Sequence, residues 1–468
     1  MLSSTVFITA LIPMVVFLTF FTRPGRAFPT SMVIPGVATR VTGVSSPFTI
    51  PKTSAGLPRV TFDPDEGFLL QPGETIQDFC SKEMEPDERP PAPSAPVPTG
   101  KSLNTTTKDI QQRPVICVFN AKYWRLQDTY LPDFIPVHYC TAILWYGYAV
   151  DVKDGSIVWK YPSAKTYKNS LLVMLYNGQL LHRGNNISVY FALGGAREDN
   201  ANLSLMVGNP ETRRRLVASV WLELNNPFQP WTGVNVDWDY PGEPCNPGTG
   251  SGAFVELIND LKRQFIDVII SVPPVKSRLH VYSLDKVIGL VDFIIIKTHM
   301  HTANPSMRDV VRCSGDHSDA ADVFNAALSS LPKTDDDWRL GYSISVAPET
   351  FVAPAAQLGA PVLGTEPWDN QTRQPGRTSY ASVCQEKPVI RTNSHPLCLM
   401  VARQMENQNV LVATFSDERA LMERMNLTYS SNMALAPVAV YDIDLDDFAG
   451  ECGNGLSPLI RALATGPG

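Results

Sequence analysis

From about Arg113 the chain settles into short apolar runs that alternate with amphipathic stretches, and this rhythm constrains the fold more than any other feature. Residues 115–119, 141–145, 187–193, 234–238, 268–272, 293–296, 340–346 and 438–443 each read as one strand. Their apolar residues follow one another with little alternation, which indicates burial on both faces, the condition of strands in a parallel sheet covered by helices. Between them, residues 210–224 place Leu216, Val220 and Leu224 on one helical face, and Phe254, Leu257, Ile258, Leu261 and Phe265 trace a second stripe. Strands and helices in this alternation predict an α/β chain, and the buried strands fit a parallel barrel.

Residues 231–241 read Trp-Thr-Gly-Val-Asn-Val-Asp-Trp-Asp-Tyr-Pro. Asp237 and Asp239 stand at i, i+2 and point to one face of the strand end, while Trp238 faces the other way, toward the core. Taken alone, two such acids are most often solvated or salt-bridged. The run resembles the catalytic strand of family 18 glycoside hydrolases, the chitinase family, whose pattern is Asp-Gly-x-Asp-x-Asp-Trp-Glu-Tyr-Pro. Gly233, Asp237, Trp238, Tyr240 and Pro241 match; Thr232 and Asn235 replace two acids, and Asp239 replaces the Glu. Other elements match in order. Cys117-Val-Phe and Cys140-Thr-Ala-Ile resemble the first two strands, whose cysteines pair in the family, and Leu193-Gly194-Gly195 is similar to the third-strand signature. The segment from Arg377 to Cys384, the segment from Ala413 to Leu421 with Arg424-Met425, and the segment from Tyr441 to Cys452 resemble later elements, with Cys384 pairing Cys452. The resemblance covers roughly residues 114–466. It implies a (β/α)₈ TIM barrel over 114–468 with a small inserted α+β subdomain at about 345–430.

The chemistry implied by the resemblance is substrate-assisted hydrolysis. A Glu protonates the glycosidic oxygen, the 2-acetamido oxygen of the sugar attacks the anomeric carbon, and an Asp two residues earlier orients that group. Asp239 and Asp237 occupy these catalytic positions, and Tyr240, His299 and Tyr441 join them as sugar-contacting residues. The pattern is degenerate. Aspartate withdraws the acid by on the order of 1 Å, a misplacement that costs about 100-fold. Asn235 removes a like-charge neighbour of Asp237. The family's Met-x-Tyr-Asp on the sixth barrel strand becomes Lys297-Thr298-His299-Met300, and Tyr441 stands where the family has the Trp that floors the sugar site. Lys297 would neutralise Asp237 or Asp239 if it points inward, a matter the sequence leaves open. The expected function is binding of chitin or other N-acetylglucosamine glycans with little or no hydrolysis. Two alternatives stand beside it: a weak retaining chitinase with Asp239 as general acid, and a protein-interaction scaffold.

The remaining features concern compartment and surface. An apolar run over residues 6–21, followed by Gly25-Arg26-Ala27, fits a cleaved signal peptide of residues 1–27, and a membrane is a partner only if that segment is retained as an anchor. Residues 28–113 are rich in Pro, Ser and Thr and read as a largely disordered linker, with Cys80 able to tack part of it to the barrel. Eight cysteines without a close CxxC pair favour disulfides. Asn104, Asn186, Asn202, Asn370 and Asn426 are glycosylation sequons, so the protein is expected to be extracellular. A formal net charge of −7 argues against nucleic acid as a partner. No cofactor or metal is expected, since His299, His301, Asp316 and His317 show no spacing that fixes a converging ligand set. Asp335-Asp336-Asp337 and Arg213-Arg214-Arg215 read as solvated faces, and Asp444, Asp446 and Asp447 as caps. For Tyr146, Tyr148 and Trp231, aromatic subsites and barrel packing remain open.

Overall fold

The computed structural model describes residues 113–465 except 122–129, 161–164, 166, 170, 173–186, 196, 227–228, 240, 242–251, 301–308, 315–317, 333–335, 370–375, 389, 392–397 and 429–435. The apolar N-terminal run expected to be a signal peptide, the Pro-rich stretch before Arg113, Cys80, Cys245, Asn104, Asn186, Asn370, Tyr240, His301, Asp316, His317 and Asp335 lie outside the described residues.

The strands begin with β1 (Val115–Asn120), β2 (Ala142–Tyr146), the short pair β3 (Tyr148–Val150) and β4 (Ile157–Trp159), β5 (Ser188–Gly194), β6 (Gly233–Asp237), β7 (Asp267–Val272), β8 (Phe293–Ile296) and β9 (Leu340–Ser345). After them come β10 (Glu349–Ala353), β11 (Ile390–Arg391), β12 (Leu399–Gln404), β13 (Val410–Phe415) and β14 (Val438–Tyr441). The barrel is closed in the order β1-β14-β9-β8-β7-β6-β5-β2, all parallel. Helices α1 (Arg197–Gly208), α2 (Pro210–Leu224), α3 (Gly252–Arg263), α4 (Ser318–Ser330), α5 (Glu418–Thr428) and α6 (Pro458–Thr465) belong to the outer layer and its connections.

Alternation along each strand divides the apolar residues between two compartments. Ile116, Val118, Leu144, Tyr190, Ile269, Ile295 and Ala439 fill the barrel interior. Their neighbours Cys117, Phe119, Ile143, Trp145, Val234 and Val236 pack outward with the helices. The runs therefore lack alternation because both faces are buried. β10, β13, β12 and β11 form a separate antiparallel sheet between β9 and α5. Disulfides join Cys117 to Cys140, Cys384 to Cys452 and Cys313 to Cys398.

Two expectations are corrected, and one element was unforeseen. Phe265 does not continue the α3 stripe: the helix ends at Arg263, and Phe265 is 94% exposed with φ of 58°. The chain must reverse within three residues to start β7, and Ile266 takes the buried position instead. Arg213 is not part of a solvated face; it is 8% exposed and pairs with Glu256 and Asp260 of α3, both at 2.8 Å. The β3–β4 hairpin was not expected, because three residues per strand are too few to show a period.

Candidate active site

All eight barrel strands point the same way, so their C-terminal ends share one rim, the place where barrel proteins build their sites. β6 turns Asn235 and Asp237 inward between the ends of β5 and β7. The close approach of β5 depends on Gly194 and Gly195, with φ of 102° and 84°. A Cβ on Gly194 would lie 1.9 Å from the Asp237 carbonyl oxygen, and the Gly195 N–H donates to that oxygen at 2.8 Å.

Lys297, the residue after β8, reaches into this end of the barrel. Its Nζ lies 2.7 Å from Oδ1 of Asp237 and 2.7 Å from Oδ1 of Asp239. The other oxygen of Asp239 accepts from Asn200 Nδ2 at 3.2 Å, and the Asp239 N–H donates back to Asn200 Oδ1 at 3.1 Å. Lys297 is 3% exposed, Asp239 1% and Asn200 4%. Burial presses the Lys297 ammonium down, but Asp237 and Asp239 outweigh it and hold the ammonium above its ordinary range. Burial pushes the Asp239 carboxyl up against the opposing pull of Lys297.

Tyr146 at the end of β2 donates to Asp237 Oδ2 at 2.7 Å. With its proton committed there, its oxygen accepts from Asn235 Nδ2 at 3.3 Å and from Tyr441 OH at 3.3 Å. Ser271 donates to Asn235 Oδ1 at 3.0 Å, which completes the orientation of the amide. Burial and then the Asp237 charge raise both tyrosine hydroxyls, so they stay protonated donors. The His299 ring stacks on Tyr441 with centroids 3.7 Å apart and bonds Ser343 Oγ through Nδ1 at 2.6 Å. One face of Tyr441 is thus covered from within the protein.

Asp237, Asp239, Lys297, His299 and Tyr441 are therefore brought to one end of the barrel, with Met300 half-buried beside them. Trp238 faces outward as expected, its Nε1 donating to Ser204 Oγ at 3.0 Å. Thr232 serves the entry of β6 by bonding Val189, away from the carboxylates. Of the three open aromatics, Tyr148 and Trp231 are buried packing residues, hydrogen-bonded to each other at 3.1 Å, whereas Tyr146 belongs to the site. Asn200 was missed: it lies on α1, and no spacing relative to residues 237–239 marks it.

The family model for glycosyl hydrolases family 18 matches residues 119–446. The chain belongs to that family. Among family 18 relatives, it is 24% identical over 423 residues to "Probable chitinase 10" of Drosophila melanogaster, covering 85% of this chain but only 18% of the fly protein. It is 23% identical to mouse "Chitotriosidase-1", covering 63% of this chain and 68% of that protein. In fold it resembles the Ostrinia furnacalis Group IV chitinase, with a TM-score of 0.61 and 18% identity over 75% of this chain and 99% of that one. It also resembles human YKL-39, described as a pseudo-chitinase with retained chitooligosaccharide binding, with a TM-score of 0.58 and 16% identity over 75% and 98% of the two chains.

The remaining polar residues are structural. Asp447 accepts the N–H groups of Gly450, Glu451 and Cys452 at 2.8, 2.9 and 2.7 Å, and Asp446 those of Asp447 and Ile460 at 2.8 and 3.1 Å. Asp336 pairs with Arg339 at 3.1 Å. Asn202 donates through Nδ2 to the Val150 carbonyl at 3.3 Å. Asn426 lies on α5. Among the described residues, no group of His, Cys, Asp and Glu converges as a metal site, and no helix is long and apolar enough to cross a membrane.

Proposed function

We propose that this family 18 barrel is a secreted glycan-binding protein. It holds oligosaccharides of N-acetylglucosamine over the C-terminal ends of the strands and does not hydrolyse them. One observation carries the loss of hydrolysis: both oxygens of Asp239 are taken, one by Lys297 and one by Asn200, and the carboxyl is 1% exposed. A general acid must come within hydrogen-bond reach of the oxygen it protonates. Asp239 instead faces an ammonium and an amide, and a proton added to it would be held inside the barrel. Asp237 is likewise engaged by Lys297 through one oxygen and by Tyr146 through the other, so an acetamido N–H would share an oxygen that already accepts a hydrogen bond.

Support for sugar binding comes from the half-buried rim of Tyr146, His299, Met300 and Tyr441, which places aromatic and apolar surface at this end of the barrel. It comes also from the described chitooligosaccharide binding of YKL-39 and from an Ostrinia furnacalis chitinase domain solved with a five-sugar N-acetylglucosamine chain. The signal-like segment and the sequons support an extracellular location.

The test is prolonged incubation of the purified protein with N-acetylchitohexaose, followed by mass spectrometry, alongside calorimetric titration of the same sugar. Heat of binding with no shorter products is the expected result. The upward push of burial on Asp239 favours a second reading, a slow glycosidase with Asp239 as its acid. Products that disappear in Asp239→Ala would establish that reading and overturn the first.

A further inference from the structure

Tyr441 is the last residue of β14, where the strand's own ladder gives out. Toward β1 the pairing stops at Val440, opposite Cys117. Toward β9 it reaches Tyr441, opposite Ser345, and ends on a long bond of 3.3 Å from the Val346 N–H to the Tyr441 carbonyl. The next residue, Asp442, turns with φ of 60° and ψ of 35°, a left-handed conformation uncommon outside Gly, Asn and Asp. Its carboxylate does not cap the short helical turn Ile443–Leu445 that follows. Instead its Oδ2 accepts from Ser345 Oγ at the end of β9 and from Arg377 Nη1 at 2.6 Å. Asp442 is 8% exposed and the Arg377 side chain 16%. Arg377 sits on a segment that is itself pinned. It bridges Glu349 of β10, the Thr378 N–H donates to the Pro348 carbonyl at 3.1 Å, and the Tyr380 N–H donates to that of Leu445 at 2.7 Å.

We propose that Arg377 is a positioning residue for Tyr441: through Asp442 it fixes the backbone turn that presents this ring to the sugar. A backbone outlier beside a site residue persists only where its surroundings over-determine it. Here they do so through a charge-assisted ion pair between the end of the last barrel strand and a segment bonded to β10. The contacts of Tyr441 with Tyr146, at 3.3 Å, and with the His299 ring, at 3.7 Å, act on the side chain. They hold the ring where the backbone delivers it. The inference rests on the glycan-binding reading above and adds to it a residue that sets affinity without touching the sugar. Without the ion pair, Tyr441 would have to be ordered as the sugar arrives, a change worth about tenfold in affinity.

The experiment uses the full chain, N-acetylchitopentaose as the probe, and three variants: Arg377→Met, Arg377→Lys and Asp442→Asn. Calorimetry reports affinity. The ring-proton resonance of His299, displaced by the stacked Tyr441 ring and assigned by its loss in His299→Gln, reports where Tyr441 sits in the sugar-free protein. Expected in Arg377→Met are a shifted His299 resonance and about tenfold weaker binding. Arg377→Lys keeps a cation within reach of Asp442 and should return both toward the wild type. Asp442→Asn keeps a residue suited to the left-handed turn, so it remains a folded test if Arg377→Met does not fold, and it should show the same two changes. An unmoved His299 resonance in the folded variants overturns the proposal, and so does a moved resonance with wild-type affinity. Failure of Arg377→Lys to restore either overturns it too, because the charge would then not be what holds the turn. Failure of the wild-type protein to bind any chitooligosaccharide brings down the glycan-binding reading, and this inference with it.

Discussion

In the proposed non-hydrolytic reading, Lys297 weighs more than the shortened acid, because it pairs with both carboxylates at 2.7 Å. Restoring the missing methylene with Asp239→Glu leaves the ammonium in place, and a longer carboxylate still pairs with it. Asp239→Glu alone is therefore expected to show no chitinase activity at ordinary family rates, checked by release of a fluorogenic chitobioside; recovery of such rates would refute the role assigned to Lys297. Lys297→Met removes the charge but strands two carboxylates that are 1–2% exposed. Breaking a buried pair in this way costs about 3–5 kcal/mol, so the variant should melt well below the wild type. Adding Asp237→Asn, which removes one of the two stranded charges, should recover part of the loss. A Lys297→Met protein as stable as the wild type would show that the carboxylates can be accommodated without their cation.

Among the elements, the closing segment holds a buried carboxyl with its own pH signature. Burial raises the Asp446 carboxyl to about 7, against the opposing pull of backbone N–H groups that include those at the start of α6. The native chain therefore holds a proton between pH 4 and 7 that the unfolded chain, with an ordinary carboxyl, has released. Stability from this group is fully present below about pH 4 and declines as pH rises through 7, by on the order of a few kcal/mol. In Asp446→Asn the group no longer titrates. Its denaturant midpoint, followed from pH 4 to 8, should fall less steeply than that of the wild type even if the variant is weaker at every pH. Parallel profiles for the two proteins would contradict the assignment.

For the whole molecule, disulfides connect distant parts of the chain. Six of the eight cysteines are paired in the described residues, which leaves Cys80 and Cys245 as one further pair if the protein matures in an oxidising compartment. Peptide mapping of secreted protein without reduction should recover a Cys80–Cys245 peptide and no alkylated thiol; two alkylated cysteines would count against both the pairing and the compartment. Legibility also divides at this scale. The barrel was readable because each strand is a short apolar run bounded by turns, and because a glycine pair, Gly194-Gly195, marks where β5 meets Asp237. Asp237, Asp239, His299 and Tyr441 were readable because they occupy family positions at strand ends. Asn200 and the Arg312–Glu349 pair were not, since the partners are 39 and 37 residues apart and no period relates them.

Local periodicity and the pleat were enough to read from the chain the order of the eight barrel strands, their burial on two faces, and the strand ends that face the cleft. The chain also displayed a lysine near two aspartates in the motif set. The placement of Lys297 between Asp237 and Asp239, of Asn200 on the other side of Asp239, and of His299 over a face of Tyr441 emerges with the closed barrel. The direction of a side chain at the end of a strand is set by what the neighbouring strands and helices leave open to it, and that space exists only once the barrel has closed.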